Sequence, residues 1–419
     1  MLETSRAVQS TLVLDPEVLE AYRYDASSCT GDPEGLVRPT TAEEAAHWLV
    51  EAAHTGTAVT PCGLRSSTTG SGLAPRGWTL SCERLDGSLE IDPERRIARV
   101  GSGMVLRDFK DRVEEEGLFY PPDPTSEAEC SVGGTVACDA SGARTYRYGA
   151  THRWLRGVEV ALLDGTVVWF RRREVDKDAA GFAGLRDLVQ VFCGSEGTLG
   201  FITQVEVDLL EKPEAFCAGF AFFTDLRSAL NFVGAARAHD GSPSGVRPRC
   251  LELLDELCLE IMASQGSGIV LPADAKAVIF FEEEHAAGGE LAVLERWWEL
   301  LEGTPGALAA DTVIATDREK QEELRALRHS VPATLNEEGN GYRQEGGRKV
   351  STDWAVPFGH LASFMERADE WVREAGIERM ARYGHVGNGH PHYNLMARTA
   401  AESAAAQSVV DRMCLEACR

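Results

Sequence analysis

Three of the chain's ten histidines fall within the eight positions from His385 to His392, in Tyr383-Gly384-His385-Val386-Gly387-Asn388-Gly389-His390-Pro391-His392-Tyr393-Asn394. Neutral imidazoles are good ligands for zinc and other borderline divalent ions. The Gly-Asn-Gly turn can fold the chain so that His385 and His392 face one point. His390 and His392 are two apart, on one face if the stretch is a strand. A surface turn with solvated histidines is the competing reading, and chance clustering beside two glycines disfavours it. Two cations offer a second chemistry: Arg328, in Leu324-Arg325-Ala326-Leu327-Arg328-His329, and Lys349, just before Val350-Ser351-Thr352-Asp353. A guanidinium grips a carboxylate with two parallel hydrogen bonds. Taken singly, each is as readily a helix-surface arginine or a loop lysine.

Small residues carry a third signal. Pro121-Pro122-Asp123-Pro124 is followed by Cys130-Ser131-Val132-Gly133-Gly134-Thr135-Val136-Ala137 and Ser141-Gly142-Ala143-Arg144. Such packing of glycines lets backbone amides approach a ligand, and successive amides form concavities suited to phosphate oxygens. Any one glycine pair reads equally well as a tight turn. Two further loops, each after or at the end of a strand, shift the balance: Pro61-Cys62-Gly63-Leu64-Arg65-Ser66-Ser67-Thr68-Thr69-Gly70 and Gly194-Ser195-Glu196-Gly197-Thr198-Leu199-Gly200. A Rossmann reading of Gly101-Ser102-Gly103 lacks the third glycine and the early βαβ position.

These motifs, in this order and spacing over roughly residues 33 to 212, resemble the FAD-binding domain of the vanillyl-alcohol oxidase and p-cresol methylhydroxylase superfamily. The resemblance implies pyrophosphate contacts from Pro61, Gly63, Ser66, Ser67 and Gly70. It implies that Pro122, Asp123, Thr125, Gly133, Gly134, Ala137, Ser141, Gly142, Glu196, Gly197 and Ile202 line the rest of the cofactor. Where the family has three glycines this chain has Gly63-Leu64-Arg65, so Arg65 either adds charge to the pyrophosphate or turns to solvent. No histidine or cysteine is suitably placed for a covalent flavin link, and Cys62 reads as an ordinary thiol, so FAD is expected to be held noncovalently.

The histidine segment resembles the GHxGDGNxH motif of the D-2-hydroxy-acid dehydrogenase branch, with Asn388 and His390 in place of the motif's Asp and Asn. The implied roles are metal ligation by His385 and His392, and substrate contact by Asn394, His390, Arg328 and Lys349. Arg328 is the better placed cation, because the register of Lys349 to the following strand departs from the usual pattern. The implied cofactors are FAD and a divalent metal, zinc first with manganese or iron as alternatives. The implied reaction is metal-assisted oxidation of a small D-2-hydroxy acid such as D-lactate, glycolate or D-2-hydroxyglutarate. Electrons would pass on to a quinone, an electron-transfer flavoprotein, a cytochrome or an iron–sulfur protein. In relatives the helix after the histidine motif leads into Glu-His-Gly, which supplies a third metal ligand and the general base. Here the helix Glu402 to Cys418 is followed by Arg419, so FAD binding with impaired metal binding and turnover is expected. A flavin-binding subunit of a larger redox complex is the alternative, and a homodimer is left open.

The elements that must position these groups are readable in outline. Thr41-Ala42-Glu43-Glu44 has the form of a capping box before the amphipathic run Ala45 to Ala53. Gly157 to Trp169 reads as a hairpin turning at Asp164-Gly165, and Phe201 to Leu209 as an apolar strand. The texture changes at Glu211-Lys212-Pro213. Expected domains are an N-terminal helical segment over 1–32, the FAD-binding domain over 33–212 and a substrate or cap domain over 213–419, apparently lacking its C-terminal end. The expected fold class is α+β: a two-subdomain FAD-binding domain of the p-cresol methylhydroxylase type, plus an α+β cap domain with an antiparallel sheet.

Composition narrows the partners. With 66 acidic against 42 basic residues the formal net charge is −24, which argues against nucleic acid. Eleven dispersed cysteines without a CxxC pair argue against zinc-ribbon and iron–sulfur sites within the chain and fit reduced thiols in a cytoplasmic protein. A peripheral membrane location is then expected only through an electron-acceptor partner. No apolar run reaches the about eighteen residues of a membrane span, and the N-terminus has no secretory pattern.

Overall fold

The structure, a computed structural model, describes residues 10–27, 29–173, 175, 177, 187–242 and 244–419. They form two compact units: one ending at Gly142 and resuming from Gly149 to Lys212, the other made of Ala143–Tyr148 and Pro213–Arg419. Of the helical segment expected over 1–32, residues 1–9 lie outside the described residues. The helix found in the remainder is α1 (Pro16–Glu20), capped by Asp15. It stops early because Tyr22 turns into a small core with Leu19 and Leu36.

The first unit holds β1 (Gly35–Val37), α2 (Ala42–Thr55), β2 (Val59–Cys62) and β3 (Trp78–Ser81), then β4 (Leu89–Asp92), β5 (Ile97–Gly101) and α3 (Leu106–Glu115). After β6 (Leu118–Phe119) and α4 (Val132–Ala137), the chain passes through α5 (Thr145–Tyr148), which packs in the other unit. It returns as β7 (Leu155–Ala161), β8 (Val167–Arg171), α6 (Leu188–Phe192), β9 (Phe201–Asp208) and β10 (Leu210–Glu211). Strands β1-β3-β2 make a parallel three-stranded sheet, and β4-β5-β9-β7-β8 an antiparallel five-stranded one. Strands β6 and β10 add a two-stranded pair, and the two larger sheets within one FAD-type unit match the expected two-subdomain architecture. The five-stranded sheet buries Ala98, Val100, Val158, Val205 and Val207 against Leu106, Phe109, Val113 and Val136 of α3 and α4. Thr41 caps α2 through its hydroxyl, 3.2 Å from Glu44 N, and Gly56 ends it in the left-handed region.

The second unit runs β11 (Ala215–Phe223), α7 (Leu226–His239), β12 (Pro248–Asp255), α8 (Glu256–Ser264), β13 (Ala277–His285), α9 (Glu290–Glu302) and β14 (Val313–Ala315). It continues through α10 (Arg318–Gly341), β15 (Gly346–Ser351), α11 (Phe358–Glu374), β16 (Met380–His385), β17 (His390–Thr399) and α12 (Ala400–Ala417). Seven strands pair antiparallel in the order β14-β11-β13-β12-β16-β17-β15. Strand alternation sorts side chains into two cores. Leu251, Leu253, Val350, Tyr393 and Leu395 meet α7, α9, α11 and α12 on one face. Phe220, Phe280, Leu254, Ala381 and Met396 meet α8 and α10 on the other. No helix among the described residues is long and apolar enough to cross a membrane.

Candidate active site

In the first unit the expected cofactor loops come together. Pro61, at the end of β2, lies against Gly197: a Cβ on that glycine would sit 2.8 Å from the proline ring. Glu196 N donates to Ala137 O at 2.9 Å, which ties the same turn to α4. Gly63 faces Ser131 and Gly134, where an added Cβ would lie 3.1 and 3.8 Å away. Gly142 is pressed on the Asp123 carbonyl oxygen, which a Cβ would meet at 2.2 Å. Gly133 N donates to Ser102 O at 2.8 Å, and Ile202 is buried in the core beside this cluster. Pro122 is buried, whereas Thr125 is exposed and Ser141 half-buried in the flanking loops. Ser66 is half-buried, and the Ser67 hydroxyl bonds that of Thr69 at 3.0 Å. Gly70 packs instead on the Cys29 side chain, 3.0 Å from a would-be Cβ.

Arg65 is half-buried rather than turned out to solvent. Its backbone is left-handed at φ 63°, and its guanidinium lies 4.3 Å from the centre of the Tyr22 ring and 3.8 Å from Glu83. Cation–π attraction and a carboxylate hold it within its own unit. Cys62 is buried, and desolvation pushes its thiol up to about 12, so it is an inert thiol.

In the second unit one face of the seven-stranded sheet carries a polar row. Antiparallel pairing sets His385 opposite His390 and Tyr383 opposite His392. The turn between β16 and β17 closes on Gly389, at φ 75°, where a Cβ would strike the Val356 carbonyl oxygen at 2.0 Å; no other residue fits. His385, His390 and His392 each offer one nitrogen, all within 4.8 Å of one another. Each ring is anchored through one nitrogen. His385 Nδ1 donates to Glu252 Oε1 at 2.7 Å, His392 Nδ1 to Thr352 O at 3.1 Å, and His390 Nε2 to Asp353 Oδ1 at 2.7 Å. Each acceptor is an oxygen, so the proton sits on the anchored nitrogen and the lone pair on the other.

Glu252 comes from β12 and is 1% exposed. Its second oxygen takes Arg328 of α10. Burial alone would raise its pKa, but His385 and Arg328 hold the carboxyl down at about 2. Burial, with the neighbouring imidazoles, brings His392 down to about 4. Arg328 is therefore a buried, carboxylate-locked residue, which rules out the helix-surface reading. Lys349 is in β15 opposite Met396 rather than in a loop. Among the described residues it has no carboxylate partner, and desolvation pulls it down to about 8. Asn394 is 1% exposed, accepts from Ser351 Oγ at 2.9 Å and donates to His392 O at 3.3 Å.

Residues 33–171 match the family model for the FAD binding domain, and residues 212–419 that for the FAD linked oxidases, C-terminal domain. The chain belongs to the FAD-linked oxidase family. It is 29% identical over 374 residues to the glycolate oxidase subunit GlcD of Bacillus subtilis, covering 88% of this chain and 75% of that protein. It is 28% identical to the mitochondrial D-2-hydroxyglutarate dehydrogenase of Bos taurus, over 93% of this chain and 69% of that one. It is 27% identical to a D-lactate dehydrogenase of Archaeoglobus fulgidus, over 89% and 79%. A solved alkyldihydroxyacetonephosphate synthase shares the fold with a TM-score of 0.75 at 16% identity, over 96% of this chain and 78% of that one.

The chain is thus an FAD-dependent oxidoreductase, and its first unit fits the cofactor. The close approaches at Gly142 and Gly197 leave no room for a Cβ and that at Gly63 only a tight one, which is the backbone-lined cradle a pyrophosphate needs. The second unit fits a divalent ion by its donor set, three imidazoles oriented by second hydrogen bonds. The sequence motif marked the histidines but missed what orients them. Glu252 is separated from His385 by 133 positions, and its only trace is an acid within the apolar run Cys250-Leu251-Glu252-Leu253-Leu254. Thr352 and Asp353 were visible merely as the residues after Lys349.

Proposed function

We propose that this oxidoreductase converts a small D-2-hydroxy acid to its 2-oxo acid; bound FAD would supply the two-electron oxidant for the C2 hydride, and the hydroxyl proton would leave to solvent. The reading is carried by one observation: three histidines that can converge on one ion share a sheet face with a half-buried lysine that has no carboxylate partner among the described residues. His385, His392 and His390 would hold a divalent ion, zinc by donor type, which supplies Lewis acidity toward the substrate hydroxyl. Lys349 supplies the charge that the substrate carboxylate requires. It takes precedence over Arg328, which Glu252 occupies. Asn394 fixes the backbone of His392 from within the sheet, so it acts by positioning. The likeness to proteins named for glycolate, D-2-hydroxyglutarate and D-lactate supports this substrate class.

The test is anaerobic titration of the FAD-loaded protein with D-lactate, glycolate and D-2-hydroxyglutarate, with L-lactate as control. Bleaching of the flavin absorbance by one of them, dependent on added zinc or manganese, is expected. Tight FAD binding with no bleaching by any hydroxy acid would overturn the reading and favour a flavin-binding subunit of a larger redox complex.

A further inference from the structure

The five-stranded sheet has a second face. Opposite the buried side chains of β5, β7 and β9, residues Arg95, Arg99, Arg156, Arg171, Arg172 and Glu206 line a half-open cleft of about 370 Å³. In a chain with net charge −24, five arginines about one carboxylate run against composition. Glu206 is nearly buried and is shared by Arg99 at 3.3 Å, Arg171 at 3.4 Å and Arg156 at 3.7 Å. Asp208 takes Arg156 at 3.1 Å, Glu90 takes Arg99 at 3.4 Å, and Asp187 takes Arg172 at 3.0 Å. The Trp169 ring holds two of the cations close together, Arg171 at 4.1 Å and Arg99 at 5.3 Å from its centre. Arg99 Nε is a buried donor with no acceptor.

Stability accounts for only part of this arrangement. Glu206, 10% exposed, needs a counter-charge, which Arg156 at 21% supplies; Arg99 and Arg171 are 38% and 42% exposed, and their added pairs contribute little while the like charges repel. A guanidinium offers five donors in a planar fork suited to phosphate or carboxylate. Even with Glu206 and Glu90 both beside it, Arg99 keeps a fork donor, Nε, that no acceptor meets. The volume lies near the lower end of the roughly 300–1,000 Å³ of small-molecule sites.

We propose that this cleft binds a small polyanion carrying at least two phosphate or carboxylate groups, at a site separate from the glycine-lined cradle. The cations lie on β5, β7 and β8 and in the flanking turns, so a ligand with spaced anionic groups meets more of them than a single oxyanion does. The proposal does not rest on the hydroxy-acid reading. Its test is isothermal titration calorimetry on FAD-saturated protein, in which the cradle is already filled, with pyrophosphate and with citrate at constant ionic strength. A glutamate-rich peptide forms a third arm.

Saturable one-site binding of pyrophosphate identifies a phosphate ligand, and of citrate a carboxylate one. The double variant Arg99→Gln/Arg171→Gln should weaken it at least tenfold and leave FAD affinity unchanged. Glu206→Gln removes the competing carboxylate and should tighten binding several-fold, a direction that a folding defect does not imitate. No saturable binding of either small anion, binding indifferent to all three substitutions, or uptake of the peptide alone would overturn the proposal.

Discussion

Lys349 shows how one side chain can be both a burden and a tool. Its pKa falls from 10.5 to about 8 through desolvation, so the folded protein holds the proton less tightly than the unfolded chain. Stability should therefore rise as pH passes from about 8 to 10.5, where the unfolded chain still binds the proton and the folded one has lost it. We expect Lys349→Met to stabilise the protein below pH 8 by on the order of 2–3 kcal/mol, an advantage that shrinks toward pH 10.5, as urea melts at the two pH values will show. The same variant should raise KM for a hydroxy acid at least tenfold, and wild-type KM should climb above pH 8. Unchanged KM would remove Lys349 from the site. Glu252 behaves in the opposite sense, because Glu252→Gln leaves Arg328 buried without its counter-charge. A loss of about 3–5 kcal/mol is expected from thermal melts, with metal affinity down about 10–100-fold by competition with a chelator. The histidines were legible because three of them crowd one short segment. Glu252 was hard to find because its meaning depends on a strand pairing that no local pattern announces.

At the scale of elements, the glycine turns divide into those that serve the fold and those that serve the ligand. At Gly142 a Cβ would meet a backbone carbonyl at 2.2 Å, whereas at Gly63 the nearest atom is the α4-capping Ser131 hydroxyl at 3.1 Å, which need yield only a few tenths of an ångström. Gly142→Ala should cost about 1–3 kcal/mol of stability, read as a lowered melting temperature. Gly63→Ala should leave the melt of the apoprotein in place and weaken FAD at least tenfold in a fluorescence titration. Loops at strand ends were readable because glycine, proline and serine mark them locally, and the hairpin at Asp164-Gly165 formed as its turn residues dictate. Strand β12 was not foreseen. All eight of its residues are buried, so it has no polar–apolar alternation to betray a strand. The turn closed by Gly389 fixes which way β17 faces, and the spacing of its histidines shows that only once the strand is recognised.

The whole molecule consists of two units with separate ligands, FAD in one and a divalent ion proposed for the other. FAD at 100 times its Kd should stabilise the first unit by about 2.7 kcal/mol. In calorimetry, FAD should raise one component of the transition and zinc the other; a single ligand raising both equally would contradict this division. Overall architecture was legible in the change of texture near Pro213, but the detour of residues 143–148 was not, since its reason lies far ahead in the chain. Arg144 sits 3.2 Å from Glu282, a 2%-exposed acid that Arg249 and Arg325 also hold, and Tyr148 reaches Glu284. The two parts are consequently not separable inheritance. Recombination at residue 212 would hand a descendant a second half whose central acid has lost one of its three counter-charges, and a first half burdened with six residues made for another partner. Lineages that exchange one half must carry a matching Arg144 across the join, so new pairings should arise by gradual divergence rather than by cut and splice.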